Sequence, residues 1–283
     1  MLRQYLRAVF LAFAAVMACA APAAATDKSD VMATIKASIL YGNTGNDAGY
    51  AALIASPGIA IDEFGPYRWN SVAAWGAALA AYDTQNGITD AKVTLLGFRH
   101  VNVEGGSAYV VSREGYAFKE RGKPRREMGD VAYTLTKASG KWQIDGFAWL
   151  SKGGVDQGAD ADAIVAAIHT AFDPPLDKLD PAALGSAIID EFPPYRWMGP
   201  SAATDWLNTL KQGAAAQGLT DIMLHLAKPV HVSITGDAAY AVVPTVITSL
   251  KHGKPSKEDG SFAIALTKDG SGWRITDWAW ATK

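Results

Sequence analysis

The chain has 283 residues, 49% of them hydrophobic and 19% charged, with a formal net charge of −2. That is a folding composition long enough for two ordinary domains, and its near-neutral balance lacks the basic face that nucleic-acid binding needs. Cys19 is the only cysteine and lies near the N-terminus, so disulfides, thiolate metal sites and a catalytic cysteine are excluded for everything after it.

The first 25 residues read as a signal peptide. Arg3 and Arg7 give a positive start, an apolar run from Ala8 to Ala21 follows, and Pro22-Ala23-Ala24-Ala25 offers small side chains to a signal peptidase. The run is too short to serve comfortably as a permanent membrane span. A periplasmic or secreted product, free of the membrane after cleavage at Ala25, is the expectation. The stretch Val16-Met17-Ala18-Cys19 loosely resembles a bacterial lipobox, with Met17 the poorly fitting position, so lipidation at Cys19 is the alternative.

A first helix is predicted from the four-residue spacing of Val31, Ile35 and Ile39, which makes one apolar stripe. A second begins near Asp47. A short extended piece, Ile59 to Phe64, is stopped by Pro66, and a third helix carries Trp75 and Leu79. The period then changes to two. Strands are predicted over Lys92–Glu104, Ala108–Phe118, Glu127–Lys137 and Lys141–Leu150, with turns at Gly105-Gly106, Gly122-Lys123-Pro124 and Ser139-Gly140. In the last strand, strict alternation puts Trp142, Ile144 and Ala148 on one face and Phe147 and Trp149 on the other. The segment Lys119 to Glu127 is basic, but Glu120, Gly122 and Pro124 mark it as a solvated hairpin tip.

After a Gly- and Asp-rich linker, Ser151 to Ala161, the order begins again. Ile164, Ile168 and Phe172 repeat the first stripe, and Asp180-Pro181 supplies a cap and first turn for a second helix. The run IDEFGPYRW at Ile61–Trp69 returns as IDEFPPYRW at Ile189–Trp197, and from Trp75 onward the copies align without a gap at a shift of 131. Identity holds at 25 of the 75 positions from Trp75 to Trp149, where chance gives roughly a fifteenth, so the chain is a duplication. Matched pairs include His100 and His231, Tyr109 and Tyr240, Glu127 and Glu258, and Trp149 and Trp280. Domains are placed at 26–153 and 154–283. Helices followed by an antiparallel meander make each an α+β unit.

Three helices and a curved antiparallel sheet, with the "IDEF.PYRW…W" passage and the terminal "G.P..E.G…L.K…W.I…AW" passage, resemble the nuclear transport factor 2-like superfamily, and within it the exported SnoaL-like domains. The resemblance implies two tandem cone-shaped domains, each with its helices closing a pocket. It implies ketosteroid isomerase-, dehydratase- or cyclase-type activity in some members and binding or assembly in many others. Because members dimerise through the sheet, it also implies that the two copies pair with each other as a pseudo-dimer.

Isomerase-like members use an acid on the short strand after the second helix as general base, which the resemblance places at Glu63 and Glu191, with Asp62 and Asp190 one residue away. A carboxylate in an apolar pocket has its pKa raised towards neutrality, as proton abstraction requires. The competing reading pairs these acids with Arg68 or Arg196, or makes them caps of the next helix. Such enzymes also need a facing donor, for which Tyr67, Tyr109 and Tyr133 are available; Tyr133 becomes Ile264 in the second copy. Their helix-one tyrosine has no clear counterpart, since Tyr41 falls near the helix end. The pocket lining expected on this reading is Asp62, Tyr67, Trp69 and Trp75, with Asp190, Tyr195, Trp197 and Trp206. The four tryptophans are placed on the covering helix, serving as core or as cavity wall.

His100 and His231 fall on a polar strand face, where they act as acid–base groups or as solvated rim residues. No metal or cofactor is expected: His169 and His252 have no repeat partners, and neither a nucleotide-binding glycine motif nor a histidine–carboxylate cluster occurs. Three readings follow: a non-catalytic binder of a small apolar molecule or a protein partner, an isomerase, lyase or cyclase, and a purely structural interaction module.

Overall fold

The computed structural model describes residues 26–283; the signal segment and Cys19 lie outside them. Helix α1 covers 26–44 and buries Val31 and Ile35. It is followed by α2 (Asp47–Ala52), capped by the Asn46 side chain, then β1 (Ile54–Ile61), β2 (Arg68–Trp69) and α3 (Val72–Asn86). Four long strands complete the half: β3 (Ile88–Glu104), β4 (Ser107–Glu120), β5 (Lys123–Ala138) and β6 (Lys141–Ser151). They form one sheet in the order β2-β1-β6-β5-β4-β3, antiparallel except where β1 runs parallel to β6.

The second half repeats this order with α4 (Ala159–Phe172), β7 (Ala187–Ile189), β8 (Arg196–Met198), α5 (Ala202–Ala216), β9 (Leu219–Leu226), β10 (His231–Thr235), β11 (Ala238–Lys251), β12 (Lys254–Asp269) and β13 (Gly272–Thr282). The expected second helix is absent here. Asp180 caps as anticipated, accepting from the Ala182 amide at 3.0 Å, but only the 3₁₀ turns Leu176–Lys178 and Pro181–Ala183 form. Pro174, Pro175 and Pro181 remove the backbone donors that a continuous helix would use. The expected linker is shorter and tied down: Ser151 ends β6, α4 starts at Ala159, and between them Val155 bridges in parallel to Val232 of β10.

The final strand of each half carries a bulge that strict alternation did not anticipate. Leu135 pairs with Ile144 but Thr134 pairs with Gly146, leaving Asp145 as the extra residue; in the second half the extra residue is Thr276. The bulge resets the pleat. Trp142, Ile144, Phe147 and Trp149 therefore all join the core beneath the helices, and only Ala148 and Leu150 face the other way. Trp273, Ile275, Trp278 and Trp280 behave identically. Ala148 thus lies on the face opposite Trp142 and not with it.

The faces turned away from the helices meet each other. Ile59, Ile61, Tyr67, Tyr109, Val111, Ala132, Ala148 and Leu150 form one buried cluster with their own repeat partners Ala187, Ile189, Tyr195, Tyr240, Val242, Ala263, Ala279 and Ala281. Tyr67 stacks near Tyr240 with ring centroids 6.2 Å apart, and Tyr109 near Tyr195 at 6.1 Å. The Tyr109 hydroxyl donates to the Trp280 carbonyl at 2.8 Å, and the Tyr240 hydroxyl donates to the Trp149 carbonyl. Each contact thus has its counterpart with the halves exchanged.

Candidate functional site

The IDEF–PYRW corner places its two acids in different surroundings, because adjacent extended residues point opposite ways. Asp62 turns under α3, where its Oδ2 accepts from the Trp75 indole at 2.7 Å and its Oδ1 from the Glu63 amide at 2.7 Å. Asp190 repeats this with Trp206 at 2.6 Å and the Glu191 amide at 2.7 Å. Burial pushes both carboxyls up to about 7, with the Glu63 charge adding to the effect at Asp62. Neither acid meets the neighbouring arginine. Arg68 instead pairs with Asp277 across the two halves, and Arg196 with Asp145 at 3.0 Å. Ser71, not an acid, caps α3 by accepting from the Ala74 amide at 3.0 Å.

Glu63 and Glu191 lie at the seam between the halves. The Ser151 hydroxyl donates to Glu63, whose Oε2 is 3.4 Å from Nδ1 of His231 in the second half. Glu127 stands beside Glu63 and is held well above the usual carboxylate range by burial and by the Glu63 charge. The second copy pairs Glu191 with Glu258, and burial together with the Glu258 charge raises Glu191. Glu191 and Glu258, with Phe192, Tyr195 and Gln217, line an open cleft of about 440 Å³ to which Asn102 and Glu104 of the first half also contribute. His231 is buried and not a solvated rim residue: the linker passes over it, and Gly153 lies so close that an added Cβ would sit 2.3 Å from the imidazole. Burial lowers the pKa of both His231 and His100.

Of the expected lining, Tyr67 and Tyr195 stand between the two sheets, with φ of 71° at both. The Tyr67 hydroxyl lies 2.9 Å from Ser233 Oγ and 2.7 Å from Thr235 Oγ1. Trp69 and Trp197 belong to the short strands β2 and β8 and not to the covering helix; Trp75 and Trp206 are on α3 and α5.

Inside the cones the two halves diverge. The second is filled: Phe172 stacks on Phe262 with centroids 4.8 Å apart, while Trp206 and Phe262 meet Trp278 edge-on at 4.9 and 5.4 Å. The first half has Val131 where the second has Phe262, Phe147 for Trp278 and Gly76 for Leu207. Trp75, Leu79 and Trp149 are accordingly only half-buried, whereas Trp206, Leu210 and Trp280 are buried.

The same half contains a polar group that sequence reasoning missed. Glu114, 3% exposed, accepts at Oε1 from Ser112 (2.6 Å) and from Tyr133 (3.0 Å). Burial raises its pKa against the effect of those two donors. The second half replaces the trio with Thr245, Val243 and Ile264. That joint loss of three polar residues was the available signal, as was the position of Ser112 and Glu114 on the alternation of Ala108 and Val110.

No described helix is long and apolar enough to cross a membrane, and no group of three or more metal-ligating side chains is gathered among the described residues. No protein-family model matches the chain, and no curated protein does. Solved structures similar to it include a nuclear transport factor 2-like superfamily protein from Salmonella enterica, at 13% identity and a TM-score of 0.41, covering 48% of this chain and 99% of that one. A ketosteroid isomerase-like protein from Erwinia carotovora atroseptica matches at 14% identity and 0.38, covering 45% and 98%. An uncharacterized protein with a cystatin-like fold from Caulobacter vibrioides matches at 18% identity and 0.38, covering 45% and 91%. Each covers about half of this chain.

Proposed function

We propose that this is an exported, non-catalytic binding protein: an intramolecular pseudo-dimer of nuclear transport factor 2-like domains in which the first half takes up a small, largely apolar molecule and the second serves as scaffold. The observation that carries it is the unequal burial beneath the helices: Trp75, Leu79 and Trp149 are half-buried where Trp206, Leu210 and Trp280 are buried, and Val131, Phe147 and Gly76 stand where the second half has Phe262, Trp278 and Leu207. A duplicated fold keeps large side chains where packing alone matters, and smaller ones beside half-buried aromatics are what a ligand site in one copy would require. Export rests on the N-terminal segment. Proton-abstraction chemistry fits less well, because Glu63 and Glu191 lie at the seam and Asp62 and Asp190 are each committed to two donors.

Copying the second half's residues into the first tests this reading. A neutral apolar fluorophore such as N-phenyl-1-naphthylamine should bind the 26–283 chain, and V131F/F147W should weaken it at least about tenfold, the equivalent of about 1.4 kcal/mol. The thermal midpoint should stay equal or rise. No binding to the parent chain, or binding indifferent to V131F/F147W, would sink the proposal.

A further inference from the structure

The Glu114 cluster has a chemistry that scaffold packing does not account for. A buried carboxylate is costly unless it is paired with a cation or fully hydrogen-bonded. Both donors to Glu114 converge on Oε1; Oε2 accepts no hydrogen bond among the described residues. No cation among the described residues serves it: Arg113, the preceding residue, and Arg99 both turn to Asp130, at 3.4 and 2.9 Å.

The side chains that lead away from this carboxyl are aromatic. Tyr133 donates to Glu114, and Phe147 lies 6.3 Å from the Tyr133 ring, with Trp75 edge-on to Phe147 at 4.7 Å. Tyr50 of α2 is near enough for the Glu114 charge to help raise its pKa, after burial. A carboxylate among aromatic faces suits an organic cation, whose charge is neutralised by the acid and attracted by the rings. The geometry points to an amine or quaternary ammonium with an apolar body as the molecule this first-half cone takes up, with Oε2 of Glu114 as its charge partner. This rests on the binding role proposed above and adds the chemical class of the ligand. The second half, with Thr245, Val243 and Ile264 in place of the trio, has no such acceptor.

The test is a calorimetric titration of the 26–283 chain with three probes of one shape: 3-phenylpropyl-trimethylammonium, 3-phenylpropan-1-ol and 3-phenylpropionate. The ammonium should bind best. E114Q should weaken it by about tenfold or more while leaving the alcohol within about twofold, since the coupling of a close, desolvated charge pair reaches at least that margin. The triple variant S112V/E114T/Y133I, which carries residues the second half already packs, should behave like E114Q and guards against a folding defect in the single variant. An alcohol that binds as well as the ammonium, with E114Q indifferent, overturns the cation assignment and leaves the binding role standing. Failure of all three probes in the parent chain overturns both.

Discussion

Asp62 and Asp190 show how one residue of phase separates two roles in the IDEF motif. Each carboxyl is enclosed under a helix and bonded to an indole, and burial moves it to about 7 in the folded chain, against about 3.9 when unfolded. Between those values the folded state holds protons that the unfolded state has released. Stability therefore falls as pH rises from about 4 to about 7 and is flat above that, as far as these two groups determine it. His100 and His231, lowered by burial, act in the opposite sense below about 6.5. The difference between parent and D190N isolates the aspartate. Urea midpoints of D190N measured from pH 4.5 to 8 should decline less steeply than those of the parent, and parallel curves would refute the assignment. The sequence supplied the acids and tryptophans as repeated residues; that Asp62 meets Trp75, and not Arg68, depends on where α3 crosses the strand end.

The last strand of each half is where element-level reading was most incomplete. Period-two alternation located β3 to β6, because their hydrophobic runs are bounded by glycine turns, and the repeat carried the same order into the second half. It assigned the faces wrongly beyond Asp145, since one extra residue inverts every side chain after it. The inversion places the Trp280 ring over Gly260 of β12, where an added Cβ would lie 2.2 Å from the ring and 2.7 Å from the Ala281 carbonyl. G260A should accordingly cost about 1–3 kcal/mol by overpacking, read as a lower denaturation midpoint. G106A, at a turn position whose nearest neighbour is 4.0 Å away, should be close to neutral. Equal effects of the two substitutions would contradict this packing.

At the scale of the molecule, each half presents to the other a face that resembles an interior. Tyr67, Tyr109, Ile61 and Leu150 are buried in a cluster shared with the second sheet, and Arg68 finds its acid, Asp277, in the other half. Residues 26–153 expressed alone should therefore associate, appearing as a dimer or larger species by size-exclusion chromatography with light scattering, because large exposed apolar faces drive association. A well-behaved monomer with no tendency to associate would count against the pseudo-dimer. The linker is part of the same joint. Gly153 and Val155 lie along β10, so the connection that read as a composition break is built into the second sheet.

The duplication, the α+β order, the four long strands of the first half and the pairing of each corner acid with a repeated counterpart were all determined by sequence alone. They depend on local period, turn chemistry and self-comparison, which act over a few residues or by inheritance. Three things belong to the tertiary structure. The bulges depend on cross-strand register, so they leave no mark in alternation. The seam brings Glu63 to His231 and Arg68 to Asp277, residues far apart in the chain that only the stacking of two sheets makes neighbours. The Glu114–Ser112–Tyr133 group exists because β4 and β5 pair with those side chains turned beneath the helices of the more lightly packed half. Burial, not residue type, converted an ordinary glutamate into the first half's most distinctive chemical feature.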